Sequence, residues 1–430
     1  MLNLIIFLIV VVGTIVLGQR KKINIGIIGM AFAFIFGFVL LQMNASKIIA
    51  KFPVSLFFNM FIAACFFGFA IENGTMKGVA MRLMYAFRNA KWATGIALFI
   101  TSYIVAAIGG GVAATPFIMS PIAFSLATQM GFSPVIAVIA VWAGGGAGSY
   151  VPWGSTPIMF AGSLSQVFSE PEIQKWHWGL LIWGTILLLI VFLLVFFYYK
   201  GYKVSGEAKI EKPEPFTKIQ KLSLTIIAVA VLLVILPALI QLIAPNPVTK
   251  WLSNYIKIQT VFAIGTVINA LCKTGDLIGI LKNRVPWGGI ILVCGMSMMM
   301  TLCNELGIVT TLSQYLDGIP AWLVMPALVL FVAFLSFFVS GTALLAAFVP
   351  ILPVIVSLTG GQSLPVMLTF IYALNASSAS PFSQGGATAL CGCYDEKDRE
   401  TCTNAQIKIA IISTIIAVLW AASGLARIGA

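Results

Sequence analysis

Apolar runs long enough to cross a lipid bilayer follow one another along this chain, and two of them are interrupted by glycine, serine and proline at matching places. The first interruption reads GGGAGSYVPWGSTP over Gly144–Pro157, and the second reads NASSASPFSQGGAT over Asn375–Thr388. Each follows a pair of apolar arms joined at a tip of small residues, Gly109-Gly110-Gly111 in the first half and Ser340-Gly341-Thr342 in the second. Unpaired backbone amides and carbonyls are too costly in hydrocarbon for unwound chain to persist at bilayer depth unless it faces protein, water or a ligand. Two broken helices in corresponding places of two halves are the arrangement expected of a secondary transporter.

Composition sets the fold class. The chain has 430 residues, 60% of them hydrophobic and 9% charged, with a mean hydropathy of +1.04. Runs of about 18 to 25 apolar residues each suffice for a hydrocarbon layer of roughly 30 Å. The expectation is an all-α polytopic membrane protein. Spans are expected near 1–18, 23–42, 54–72, 133–168 (broken), 177–200, 222–245, 254–273, 285–303, 363–390 (broken) and 405–427. The first of these lacks a basic flank before it and carries Arg20-Lys21-Lys22 after it, the reverse of a cleavable leader. Residues 92–130 and 321–358 are read as re-entrant hairpins that add no crossing, which makes the two halves inverted repeats of five spans each.

The first repeat, 1–200, comprises scaffold spans over 1–72, an arm at 74–91, the hairpin, the broken helix and a closing span. A hydrophilic linker at 201–221 joins it to the second repeat, 222–430, with scaffold spans over 222–303, an arm at 305–320, and the same three elements again. Charge supports this topology. With both termini outside, 19 of the 25 Lys and Arg fall on the cytoplasmic side and 6 on the other. The net charge of +12 thus orients spans in a bacterial cytoplasmic membrane and implies no nucleic acid.

Two tips and two interruptions should converge near the midplane. Gly109, Gly110, Gly111, Gly144, Gly145, Gly146 and Gly341 would let backbone approach a ligand closely. Ser149, Ser155, Thr156, Ser340, Thr342, Asn375, Ser377, Ser378, Ser380, Ser383 and Thr388 would donate to an anion or lend oxygen to a cation. A lone glycine or serine in a span more often serves helix packing. Pro152, Pro157 and Pro381 inside runs already weakened by glycine tip these two motifs toward a site. No acid stands in mid-span, which favours sodium held by carbonyl and hydroxyl oxygens over a proton path. Glu72 and Glu305 read as interfacial anchors, and Trp176, His177 and Trp178 as an interface belt. Seven scattered cysteines and one histidine supply neither a metal cluster nor a catalytic base, so no enzyme activity, resident metal or cofactor is expected.

The stretch FPVSLFFNMFIAACFFGFAIENGT, Phe52–Thr75, resembles the N-terminal signature of the malonate and dicarboxylate carriers, and the order of hairpin and broken helix resembles the wider ion transporter superfamily. The resemblance implies an elevator mechanism, in which hairpins and broken helices slide across a homodimeric scaffold. Sodium-coupled relatives carry Ser-Asn-Thr at the tips. Ser340-Gly341-Thr342 keeps two of those three, Thr156-Pro157 keeps part of the following motif, and Ser383-Gln384 stands in its place in the second half. The expected function is sodium-driven transport of a small organic anion of the malonate or succinate class. Two alternatives remain open: the large membrane subunit of a binding-protein-dependent (TRAP-type) carrier, and a cation/proton antiporter.

Overall fold

The computed structural model describes residues 20–204, 206, 211–243, 246–305, 320–337 and 341–428, with a few positions between 10 and 18, and every regular element among them is helical. The expected first span, Ser340 and residues 306–319 of the second arm lie outside the described residues, apart from a few positions of that span. The first half opens with α1 (Ile25–Ile35, continued by a π turn over Phe36–Leu40), α2 (Ala45–Ile49), α3 (Val54–Glu72) and α4 (Thr75–Ala86). The Asn73 side chain starts α4 by accepting from the Thr75 amide (3.0 Å), and Gly74 makes the left-handed turn between the helices (φ 75°).

Next come α5 (Thr94–Val105), α6 (Gly111–Met130), α7 (Pro134–Gly148) and α8 (Ser155–Leu164). Between α5 and α6, Gly109 (φ 120°) and Gly111 (φ 53°) reverse the chain in conformations that side chains with a Cβ rarely adopt. The course of the reversal follows from what touches α7. Gly95, early in α5, faces Ile136 at the start of α7, whereas Tyr103, late in α5, abuts Gly148 at its end. Thr115, early in α6, faces Gly145, and α6 finishes just before α7 begins. So α5 runs along α7 and α6 runs back, with the tip at the far end of α7 and both bases at its near end. A Cβ on Gly144 or Gly148 would run into the carbonyls of Phe99 or Tyr103. Those two glycines set a backbone-close contact between α5 and α7.

One continuous helix follows: α9 (Glu170–Gly179), a π turn over Leu180–Gly184, and α10 (Thr185–Tyr198). The expected start at 177 moves to Glu170 because Ser169 and Glu172 form a capping box with Pro171 in the first turn. Trp176 does not belong to an interface belt. It is fully buried whereas Trp178 is 40% exposed, since residues two apart on a helix face different directions.

The second half contains α11 (Lys218–Ile243), α12 (Pro247–Tyr255), α13 (Ile258–Leu271), α14 (Leu277–Asn283) and α15 (Trp287–Glu305). It continues with α16 (Ala321–Ser336), α17 (Gly341–Phe348), α18 (Leu352–Leu358), α19 (Ser363–Ala376), α20 (Gln384–Ala389) and α21 (Glu396–Ser423). The last helix starts well before the expected 405, because Asp395 accepts from the Asp398 amide (2.9 Å) and acids fill the first turn. The end of α16 and the start of α17 both reach the end of α19: Ser336 donates to the Leu374 carbonyl and Gly341 faces the same residue. By length and apolarity Val54–Glu72, Lys91–Gly110, Glu170–Tyr198 and Glu396–Ser423 can each cross a bilayer, and the pair α14 and α15, bent by 59°, makes a fifth such unit.

Contacts between the halves fasten these parts together. Lys51 pairs with Glu305, and Lys257 with Glu170 (2.5 Å). The linker lies against α4, where the Arg82 guanidinium sits 3.4 Å from the Phe216 ring, and Gln220 donates to the Asn73 carbonyl (3.2 Å). Cys391-Gly-Cys393 forms a turn seated on α6: Ser120 accepts from the Gly392 amide (2.9 Å) and the Cys391 thiol donates to the Pro116 carbonyl (3.6 Å). Burial holds both thiols above their ordinary range.

Gly148→Ala should cost about 1–3 kcal/mol through overpacking against Tyr103, read as a lower melting temperature in detergent. Gly289→Ala, where no atom lies within 4 Å of the new methyl, should leave it unchanged or raise it.

Candidate functional site

Each broken helix is unwound by proline and stitched by serine. In the first, α7 ends at Gly148, and the Ser149 hydroxyl donates to the Gly146 carbonyl (2.7 Å) and shares a hydrogen bond with Thr156 Oγ1 across the break (2.9 Å). Pro152 has no N–H to continue a helix, and Gly154 sits so close to the Ser149 carbonyl that a Cβ would not fit. Helix α8 then restarts without a side-chain cap from Gly154 and with Pro157 in its first turn. In the second, the Ser378 amide and hydroxyl both donate to the Asn375 carbonyl (3.0 and 2.7 Å). Ser383 donates to the Ser378 and Ser380 carbonyls (2.6 and 2.9 Å) and accepts from the Gly386 amide (3.3 Å), bridging the break and capping α20 with one hydroxyl.

Between the breaks lies a cavity of about 140 Å³. Of the expected residues, Gly145, Gly146, Thr156, Gly341, Asn375, Ser378 and Ser383 line it. Trp142, Tyr150, Ser336, Gln384 and Gly385 join them, and Val112, Pro116, Val141, Met159, Phe160, Leu188 and Leu374 make the remaining wall apolar. Among the described residues no Asp, Glu, Lys, Arg or His lines this cavity. Its electrostatics therefore come from helix ends. Val112, Thr156, Gly341 and Gln384 lie in the first turns of α6, α8, α17 and α20, so four N-termini meet the cavity. Gly145 and Gly146, Ser336, and Leu374 and Asn375 lie in the last turns of α7, α16 and α19. An N-terminus carries about half a positive charge and a C-terminus about half a negative one, so amides here suit an anion and carbonyls suit a cation.

Other expected residues stand behind the cavity. Gly109 packs on Phe67, and Gly110 on Thr115 and the Val105 carbonyl, while Gly111 opens α6 just ahead of Val112. Phe67 is itself fixed edge-on to Phe66 and Phe262, with centroids 5.0 and 5.1 Å away. Trp153 Nε1 donates to the Ala107 carbonyl (2.8 Å) and ties the first tip to the first break. Gly144 meets α5. Ser377 donates to the Ala333 carbonyl (2.7 Å) and holds α16 on α19, and buried Ser380 accepts from the Phe382 amide (3.2 Å). Thr388 bonds back to the Gln384 and Gly385 carbonyls (2.9 and 3.0 Å). Ser340 and the side chains of Ser155 and Thr342 lie outside the described residues.

The residue that sequence reasoning missed is Trp142. Its Nε1 donates to Ser378 Oγ (3.0 Å), joining the two broken helices directly across the cavity. The signal was available, because a tryptophan N–H in an apolar span needs an acceptor, and the nearest unwound chain is the place to look.

Residues 1–149 match the family profile of the dicarboxylate carrier protein MatC N-terminus, and residues 164–425 match that of the sodium:sulfate symporter transmembrane region. No curated protein matches the chain. The fold is similar to the crystal structure of the Alcanivorax borkumensis YdaH transporter, reported to have an unusual topology, with a TM-score of 0.64 and 14% identity over 89% of this chain and 86% of that one. It is also similar to Neisseria gonorrhoeae MtrF, reported to illuminate a class of antimetabolite efflux pumps, with a TM-score of 0.62 and 13% identity over 91% and 84%. At such identities the likeness is one of fold.

Trp142→Phe keeps the ring and removes the donor. It should lower the melting temperature by the equivalent of about 1 kcal/mol, and Ser378→Ala should cost more, because it also removes the bond to the Asn375 carbonyl.

Proposed function

The chain belongs to the sodium:sulfate symporter transmembrane family, with a dicarboxylate carrier N-terminus preceding that region, and on that premise we propose that this secondary transporter carries a small dicarboxylate of the malonate or succinate class, coupled to sodium. The observation that supports the reading is the meeting of four helix N-termini at a cavity that, among the described residues, no basic side chain lines. These ends favour an anion, less strongly at the six-residue α20 that Ser383 already caps. The apolar side of the cavity suits the methylene carbons between two carboxylates, which sulfate lacks. A volume of about 140 Å³ is below the roughly 300–1,000 Å³ of pockets for drug-sized ligands and favours a small substrate.

Sodium is favoured by what opposes those N-termini. Three helix C-termini and the oxygens of Thr156, Ser378 and Ser383 face the same space, so a dianion arriving alone would meet carbonyls as well as amides. A cation held by the carbonyls removes that conflict, and oxygens without a carboxylate suit sodium better than a proton. Ser155, Ser340 and Thr342 are assigned to the same site by their place in the motifs, and Gly109, Gly110, Gly111, Gly144, Ser149, Ser377, Ser380 and Thr388 to its support.

The hairpins over 92–130 and 321–358 are re-entrant in this reading and travel with the broken helices 133–168 and 363–390 as an elevator. The spans within 1–72 and 222–303 form the scaffold of a homodimer, and the arms at 74–91 and 305–320 connect the two. Tips that reach the ends of α7 and α19, where those helices break, fit hairpins that enter and leave on one face. The charge bias fits a bacterial cytoplasmic membrane with both termini outside. Export, the role reported for MtrF's class, rests on fold alone and is the second reading.

Purified protein in liposomes should take up labelled malonate or succinate under an inward sodium gradient and not under a proton gradient alone. Thr156→Val and Asn375→Ala should each lower flux about tenfold, the equivalent of about 1.4 kcal/mol. Uptake of no carboxylate in either direction sinks the substrate assignment. Cysteines at Trp92 and Gln129, both exposed, should react with an impermeant reagent from one face of the membrane. Reaction from opposite faces overturns the re-entrant topology.

A further inference from the structure

An anion needs hydrogen-bond donors, so the donors left over around the cavity decide which side chains can hold one. A hydroxyl has a single hydrogen to give. Ser149 gives its own to the Gly146 carbonyl, so in the bond that it shares with Thr156 (2.9 Å) the hydrogen comes from Thr156. Ser336 and Ser378 donate to the Leu374 and Asn375 carbonyls, and Ser383 to those of Ser378 and Ser380. The Trp142 indole spends its N–H on Ser378. Asn375 turns one amide hydrogen back on the Ile371 carbonyl (2.9 Å) and keeps the other. The hydroxyls at the cavity therefore offer lone pairs alone, which suit a cation and repel an anion.

Two lining side chains remain uncommitted, and neither was among the expected site residues. Tyr150 stands in the first break with its ring against Gly184, where a Cβ would lie 2.5 Å from it. No described residue hydrogen-bonds its hydroxyl, and the nearby Tyr372 hydroxyl is engaged by Ser413 instead. The residue as a whole is 1% exposed, yet its hydroxyl oxygen is not closed off. Gln384 stands exposed in the first turn of α20, and its carboxamide is free among the described residues. Each half of the chain thus supplies one unspent donor.

We propose that Tyr150 and Gln384 select the anion, donating to its carboxylate oxygens together with the remaining Asn375 hydrogen, while Thr156, Ser378 and Ser383 mend the breaks and offer their lone pairs to the cation. This deepens the dicarboxylate reading of the cavity and rests on it. The two donors differ in kind. A phenol wedged against Gly184 has little freedom to lose on binding, whereas a carboxamide on an exposed, flexible chain adapts to the ligand. A site whose donors are committed to both ends of a dianion rejects analogues that leave one of them unpaired.

Tyr150→Phe keeps the ring and removes the donor. In liposomes at saturating sodium it should raise the KM for labelled succinate about tenfold or more, the effect of one hydrogen bond to a charged group, with the maximal rate little changed. Gln384→Ala should raise the KM as well. In detergent, succinate should raise the melting temperature of the wild type far more than that of Tyr150→Phe, while the two melt alike without ligand, because the lost hydroxyl had no partner in the protein. Should Tyr150→Phe fail to fold, Gln384→Ala, at an exposed position, carries the test by itself. Wild-type uptake of succinate with an unchanged KM in the variants overturns this inference and leaves the transport reading standing. A wild type that moves no carboxylate overturns both.

Discussion

Backbone amides and carbonyls that have lost their helical partners must find others before they can exist at bilayer depth, and the architecture answers that demand. At the first break Ser149 covers a carbonyl and is held by Thr156, and at the second Ser378 and Ser383 each cover one or more carbonyls. At the first tip Trp153 covers the Ala107 carbonyl. What these side chains leave uncovered faces one small cavity. The site proposed above for ions would be the residue of that repair, with helix direction deciding its sign: first turns bring amides, last turns bring carbonyls.

The sequence made the interruptions legible because glycine and proline act locally. Pro152 and Pro381 each remove a helical donor and crowd the preceding turn, and with the glycines nearby they favour a break wherever the chain is placed. The arms and tips were legible for the same reason, since Gly109 and Gly111 adopt backbone angles closed to most residues. Facing was not legible. Gly144 and Gly145 are neighbours in one motif, yet the first packs on the Phe99 carbonyl and the second lines the cavity, a difference set by 100° of helix rotation and by which helix arrives on each side. Gly109 was expected at the ligand and lies against Phe67 of α3, which occupies the position that a Cβ would need. Helix starts at Glu170 and Glu396 were missed where hydropathy was read in place of caps. The polar first turns carry no apolar signal, but Ser169 with Glu172 and Asp395 with Asp398 specify them chemically.

Trp142 shows the remaining kind of information that a sequence hides. It counts as apolar in any hydropathy sum, and its indole nitrogen is the direct side-chain hydrogen bond between the two broken helices. The first half therefore helps to position Ser378 of the second. Leu188 on α10 contributes a wall residue from outside both motifs, which only the packing of α10 on α7 brings near.

The seating of Gly392 on Ser120 and of Cys391 on Pro116 spans sequence separations of 272 and 275 residues. Pro116 and Pro121 loosen α6 from within, and the partners that settle it are synthesised well after it. At roughly 5–20 residues per second, about 15–60 s of synthesis passes between the two. During that interval the newly inserted amino-terminal part holds an unfinished helix in the lipid. The first half by itself would lack both of these hydrogen bonds to α6.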